Sequence, residues 1–209
     1  MKKAIIVDLD NTIYPVSSIG DHLFTPLLQA IEASGEFPDK MADIRADVMR
    51  KPFHLIAKKH RFSHALTKQC DAILTNLTYD KPMQPFDDYA LLRTLPMNKY
   101  LVTSGYRNMQ WSKIQQLGIE KDFTAIHIVD PQTSTDTKKI VFERICLGQG
   151  YKPEEVLVVG DDLESEIKAG IELGMEVVLF DRIGFYNDQV SGLPTTKSFR
   201  YVVDYCLKG

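Results

Sequence analysis

The sequence predicts an α/β fold: a doubly wound parallel sheet with a small α-helical cap domain inserted into it. Three features carry that expectation. Short continuous apolar runs rich in Val and Ile recur along the chain, the form taken by strands buried on both faces. The later runs alternate with helical patterns that stop at glycine, which implies right-handed strand–helix–strand crossovers. The first run is separated from the second by a long interval with helical periodicity and no convincing strand.

Taken in chain order, Ala4-Ile5-Ile6-Val7 is the first strand. Leu23, Phe24, Leu27, Leu28 and Ile31 then line one helix face, and Met41, Ile44 and Val48 line a second that Pro52 breaks or kinks. Ile73, Leu74 and Leu77 mark a third. Pro15 and the stretch Lys81-Pro82-Met83-Gln84-Pro85 read as hinges. The expected division is a catalytic core of residues 1–14 and 86–209 with a cap of residues 15–85. Tyr100-Leu101-Val102 is the second strand, followed by a helix through Met109, Ile114 and Leu117 that ends at Gly118. Ala125 to Val129 is the third strand, and Lys138 to Leu147 a helix stopped by Gly148. Val156 to Val159 is the fourth, followed by a helix carrying Leu163, Ile167, Ile171 and Leu173 up to Gly174; Val177 to Phe180 is the fifth.

Composition narrows the class. The 209 residues are 44% hydrophobic and 25% charged, as in ordinary globular proteins. A formal charge of −3 argues against a chain-wide nucleic-acid binder. No apolar run approaches a membrane span, and the four apolar residues before Asp8 are too few for a signal peptide. Cys70, Cys146 and Cys206 exclude a disulfide scaffold and fit a reducing, cytoplasmic setting.

Ligands of open α/β sheets collect at the carboxyl ends of the strands. There the sequence places Asp8-Leu9-Asp10-Asn11-Thr12, Thr103-Ser104-Gly105 and Gly160-Asp161-Asp162. Four carboxylates on two strand ends repel one another unless a cation sits between them, and an oxygen-only donor set suits Mg²⁺. One carboxylate can then attack a phosphoryl group while the other, two residues on, moves the leaving-group proton. Thr103 or Ser104 can hold phosphate oxygens, and a lysine at a helix start can neutralise phosphate and nucleophile together.

Asp8-Leu9-Asp10-Asn11-Thr12 after a strand resembles the first motif of the haloacid dehalogenase superfamily. Leu101-Val102-Thr103-Ser104-Gly105 is similar to its second motif, and Val158-Val159-Gly160-Asp161-Asp162 with Glu166 to its fourth. The resemblance implies a Rossmann-like core and a Mg²⁺-dependent phosphatase of small phosphomonoesters working through an aspartyl-phosphate. By that resemblance Asp8 is the nucleophile, Asp10 the general acid/base and, by its backbone carbonyl, a metal ligand. Thr103, with Ser104, binds phosphate, and Asp161 holds the metal. A carboxylate at Asp10, which the dehalogenase members lack, points to phosphoryl chemistry. Glu166 stands where the family usually has Asp, so Glu166 or Asp162 completes the metal site. The family lysine falls on Lys138 or Lys139, with Lys138 preferred and Thr135 or Asp136 capping its helix.

Plainer readings compete. Thr103-Ser104-Gly105 can be a helix cap, Glu166 can simply favour a helix dipole, and Trp111 reads as packing. His60 and His64, four apart on a potential helix, have metal-ligand spacing but no companion acid. Eight basic residues between Lys40 and Lys68 face only Asp43 and Asp47, a cap able to steer an anionic ester or merely a solvated face. Tyr14-Pro15 fixes the entry to the cap, within reach of substrate. The expected partner is a small phosphate ester, a nucleotide or sugar phosphate, and neither nucleic acid nor membrane. The run from Asp8 to Pro15 is similar to members acting on nucleoside 5′-monophosphates. A phosphomutase or phosphonatase of the same superfamily, or a non-catalytic phosphoester-binding module, are the alternatives.

Overall fold

The computed structural model describes residues 2–186, 190 and 192–208. The first strand, β1 (Ala4–Val7), is wholly buried. Five helices follow: α1 (Gly20–Leu23), α2 (Thr25–Ala33), α3 (Met41–Val48), α4 (Phe53–His60) and α5 (His64–Asn76). After α6 (Ala90–Arg93) the chain alternates through β2 (Asn98–Ser104), α7 (Arg107–Leu117), β3 (Ala125–Val129), α8 (Lys138–Gln149) and β4 (Val156–Gly160). It closes with α9 (Lys168–Glu172), β5 (Glu176–Phe180), β6 (Thr195–Thr196) and α10 (Phe199–Lys208).

The six strands form one parallel sheet in the order β3-β2-β1-β4-β5-β6. Strand order reverses at β1, so the crevice of the sheet opens at the carboxyl ends of β1, β2 and β4, where ligands of such sheets bind. Ile5, Val7, Leu157 and Val159 lie on one face with the larger core cluster, and Ile6, Val158 and Tyr100 with the smaller. Each fully buried Ile or Val contributes about 2 kcal/mol of transfer free energy.

Several expectations change in detail. α8 runs past Gly148 to Gln149, because a glycine two residues on, Gly150, takes the left-handed conformation that ends it (φ 68°). Its N-cap is Thr137, which accepts from Ile140 N–H, and not Thr135 or Asp136; Asp136 instead pairs with Arg144. The helix expected from Leu163 is two pieces, a wide turn at Leu163–Ile167 and then α9. β3 is an edge strand and only half-buried, so its continuous apolar run does not mean two covered faces. His60 and His64 share no helix, since Arg61 between them is left-handed (φ 59°). His60 Nε2 lies 2.7 Å from Asp47 instead. The stripe of α5 is Leu66, Cys70 and Leu74, with Ile73 and Leu77 only half-buried. Short β6 and α4, α6 and α10 are additions to the expected elements.

The helices between β1 and β2 pack on one another and on α7. Tyr106 donates to Asp71 of α5, Asn108 to Thr75 O at 3.0 Å, and Tyr79 N–H to Ser112 Oγ at 2.8 Å. The two connecting segments meet where Phe86 N–H donates to Ile13 O at 2.8 Å. Beside them lies a cleft of about 490 Å³ bordered by Pro15, Ile19, Met83, Phe86 and Arg182. All three cysteines are free and buried. No helix among the described residues is long and apolar enough to cross a membrane.

Candidate active site

Asp8 extends the β1 ladder by one residue, its N–H donating to Val159 O at 3.0 Å, and this sets its carboxylate at the crevice. Asn11 then turns left-handed (φ 55°), a conformation Asn tolerates, and its Oδ1 accepts from Val16 N–H at 3.0 Å. This tight turn brings Tyr14 back so that its hydroxyl donates to Asp10.

β4 ends in Gly160 and Asp161. Asp162 caps the following turn, its Oδ1 accepting from Glu164 N–H at 2.9 Å. In that turn Ile167 N–H reaches back to Asp162 O, one residue wider than an α-helix, and such wide turns are often found at functional sites. The widening carries Glu166 inward over Gly160, where it is 1% exposed and accepts from Asp162 N–H at 2.7 Å. A side chain at Gly160 would overlap the Glu166 carboxylate.

Carboxylate oxygens of Asp8, Asp161 and Glu166 lie within 4.8 Å of one another, all three buried. Lys138 Nζ sits among them, 2.6 Å from Asp8 Oδ1 and 2.7 Å from Glu166 Oε2. Lys138 opens α8 on the stripe it shares with Val141, Phe142 and Ile145, and therefore points into the protein. Lys139, one position round the helix, faces solvent and pairs with Glu172 at 2.9 Å. Of the two lysines it is Lys138 that lies beside the acids, and of Glu166 and Asp162 it is Glu166 that joins the cluster with Asp8 and Asp161.

Burial pushes the Asp8 carboxyl up to about 7, against the pull of Lys138 and with the push of Glu166 and Asp10. Burial, with the push of Glu166 and Asp8, holds Asp161 well above the carboxylate range, opposed by Arg50 and Lys138. For Lys138 the paired Asp8 and Glu166 outweigh desolvation and raise its pKa. Three crowded oxygen donors, with no nitrogen or sulfur ligand among them, suit a hard divalent cation.

Arg50, from the turn between α3 and α4, reaches this cluster. Its Nη2 lies 3.4 Å from Asp161 Oδ2 and its guanidinium 3.5 Å from the Phe185 ring centre, while Nη1 is buried without a hydrogen-bond partner.

Asp10 turns away from the other acids. Lys113 Nζ lies 2.9 and 3.2 Å from its two oxygens, and Gln110 Nε2 donates to Oδ2 at 2.9 Å. Lys113, Tyr14 and Gln110 overcome the upward push of burial and lower the Asp10 pKa. Gln110 Nε2 also lies 2.6 Å from Thr103 Oγ1, at the end of β2, and Ser104 follows it, half-buried. Lys113 and Gln110 were not among the residues expected from sequence. Their signal is positional: with Ile114 and Leu117 they occupy the buried stripe of α7, where a polar pair is costly without a partner.

A parallel α/β sheet with a lysine and three acids gathered at its strand ends defines a hydrolase-like architecture. The model of the haloacid dehalogenase-like hydrolases matches residues 2–174, and the chain belongs to that family. Within it the chain sides with phosphatases. It is 26% identical to a glyceraldehyde 3-phosphate phosphatase of Methanopyrus kandleri, over 90% of this chain and 87% of that protein. It is 21% identical to the N-acylneuraminate-9-phosphatase of Rattus norvegicus, over 94% and 86%. Among solved structures, a haloacid dehalogenase-like family protein of Streptococcus pneumoniae superposes with a TM-score of 0.71 at 17% identity, covering 98% of each chain. A HAD phosphatase of Thermococcus onnurineus gives 0.66 at 16%, covering 98% of this chain and 97% of that one.

Proposed function

We propose that this chain is a Mg²⁺-dependent phosphatase that hydrolyses a small phosphomonoester through a phosphoaspartate on Asp8. The observation that carries the reading is the Asp8 carboxylate, bound at 2.6 Å by Lys138 and grouped with Asp161 and Glu166. Asp8, Asp161 and Glu166, with the Asp10 carbonyl, would hold the Mg²⁺, which neutralises charge on the phosphoryl oxygens when bound. In the first step an Asp8 oxygen bonds to phosphorus and the ester P–O bond breaks, while Asp10, charged in the resting site and protonated when the negative charge of the ester arrives beside it, gives that proton to the departing alkoxide. In the second, Asp10 takes a proton from water as the water oxygen bonds to the same phosphorus and the bond from phosphorus to the Asp8 oxygen breaks, releasing phosphate and leaving the Asp8 carboxylate free. Lys138, fixed by Glu166, stabilises the charge that gathers on the phosphoryl group. Thr103 and Ser104 orient it from the end of β2.

The helices between β1 and β2 act as the cap. Arg50 extends from them to the acids, and their basic surface steers an anion inward. The named relatives act on a triose phosphate and an N-acylneuraminate phosphate, which favours a sugar or sugar-acid phosphate over a nucleotide. Every lysine between residues 40 and 68 is exposed, so that stretch offers no buried amine for the Schiff base of a phosphonatase.

The test is hydrolysis of p-nitrophenyl phosphate and of a sugar-phosphate and nucleotide panel, with Mg²⁺ or with EDTA. Activity that requires Mg²⁺ and falls at least ~10³-fold in Asp8→Asn is expected for loss of a nucleophile. Wild-type silence across the panel, or an Asp8→Asn variant as active as wild type, sinks the reading.

A further inference from the structure

Lys113 is 1% exposed and Gln110 0%, both on the face of α7 that would otherwise be filled by apolar side chains. An ammonium in that position is costly unless its donors are all used. They are: Lys113 Nζ meets both Asp10 oxygens and, at 2.6 Å, Gln110 Oε1. The Gln110 amide nitrogen in turn spans Asp10 Oδ2, Thr103 Oγ1 and, at 3.3 Å, Ser104 O. Gly105 makes this path possible. Its φ of 148° is one that side-chain-bearing residues rarely adopt, and a Cβ there would press within 3.1 Å of the Gln110 side chain. Tyr14 holds the remaining side of the carboxylate. Asp10 is thus clamped by α7 and by the turn after β1, while its side chain keeps 28% exposure toward the crevice.

We propose that Lys113 and Gln110 are positioning residues for the acid/base step. Resting on the phosphatase reading, they set the Asp10 carboxyl in one orientation toward the ester oxygen and tie that orientation to the Thr103 hydroxyl. One amide thereby links the group that moves the proton to the group that places the phosphate. Lys113 itself touches neither substrate nor Asp8; it acts through Asp10. A merely structural ion pair would brace the turn after β1 and affect every substrate alike. A positioning pair matters in proportion to how much proton the leaving group needs.

The experiment measures kcat/KM of the full chain with Mg²⁺ on p-nitrophenyl, phenyl and methyl phosphate, whose leaving groups are increasingly basic. The variants are Lys113→Met, Lys113→Gln, Asp10→Asn and the double variant Asp10→Asn/Lys113→Met. The expected loss in Lys113→Met climbs from about 3-fold on the nitrophenyl ester to about 100-fold on the methyl ester, the span general acid catalysis commands. Asp10→Asn gives the same gradient, and the double variant falls no further than Asp10→Asn alone, because the lysine acts through that carboxyl. A uniform loss along the series, no loss, or additive losses in the double variant overturns the proposal while leaving the phosphatase reading intact. Wild-type silence on all three esters and on the natural panel overturns both. Thermal melts accompany the assays, and failure of both Lys113 variants to fold assigns the lysine to stability and overturns the proposal.

Discussion

Gly160 is the residue on which the acid cluster turns. The last position of β4 is buried on both sides, and what lies against its Cα is the Glu166 carboxylate and its neighbouring methylene carbon. Glu166 can sit there, with one oxygen on Lys138 and the other on Asp162 N–H, only because nothing projects from Gly160. The wide turn at Leu163–Ile167 is what carries Glu166 to this place. Gly160→Ala therefore displaces one carboxylate of the cluster without straining the backbone. Isothermal titration with Mg²⁺ is expected to give a dissociation constant weakened about 10- to 100-fold, the scale on which misplaced metal-site partners act. An unaltered Mg²⁺ affinity in a normally folded variant would show that Glu166 takes no part in holding the ion.

At the scale of elements, α4 illustrates how the helices between β1 and β2 are stitched together. Asp47 near the end of α3 receives Lys51 at 2.8 Å, Lys59 at 2.6 Å and His60 Nε2 at 2.7 Å. Burial pushes its pKa up, but the hydrogen bonds from Lys51, Lys59 and His60 win and hold it below the usual carboxylate range. A carboxylate with a depressed folded pKa contributes stability that is present above its unfolded value of 3.8 and lost as pH falls through the folded one. Asp47→Asn is expected to cost about 1–2 kcal/mol near neutrality. By urea denaturation the gap from wild type should stay constant between about pH 8 and 5 and close only below about pH 3. A gap that closes near pH 5 contradicts the depressed pKa. The same helices mark how far the sequence is legible. Strands β1, β2, β4 and β5 are plain in it because a buried strand is a continuous apolar run, and Asp8 and Asp161 follow because strand ends are local features, whereas the preference for Lys138 over Lys139 rests on the family resemblance. α4 was missed because its stripe of Phe53, Ile56, Ala57 and His60 is interrupted by charge, and β6 because two threonines carry no pattern. Lys113 and Gln110 were missed because their reason for burial, Asp10, lies a hundred residues away in the chain.

Across the whole molecule the helical insertion and the sheet are less separate than their hinge-like connections suggest. One hydrophobic cluster runs from Leu27, Ile31 and Ile44 of the insertion through Leu66 and Leu74 to Leu157, Val159, Phe180 and Phe199 of the sheet and its C-terminal helix. Trp111, on α7, packs against that cluster on the helix that also carries the Tyr106 and Asn108 contacts to α5. A core shared this way couples the unfolding of its two sides, since opening one exposes apolar surface on the other. The expected outcome is a single thermal transition in which fluorescence of the one tryptophan and far-ultraviolet circular dichroism change together, with the calorimetric and van't Hoff enthalpies equal. Two resolved transitions, with the tryptophan following only one of them, would mean that the insertion unfolds independently and that the shared cluster couples the two weakly. A single transition also constrains how the insertion can move over the acids. Any such motion must keep the shared cluster packed, because melting the insertion locally would forfeit the core that holds α7 and, through it, Asp10.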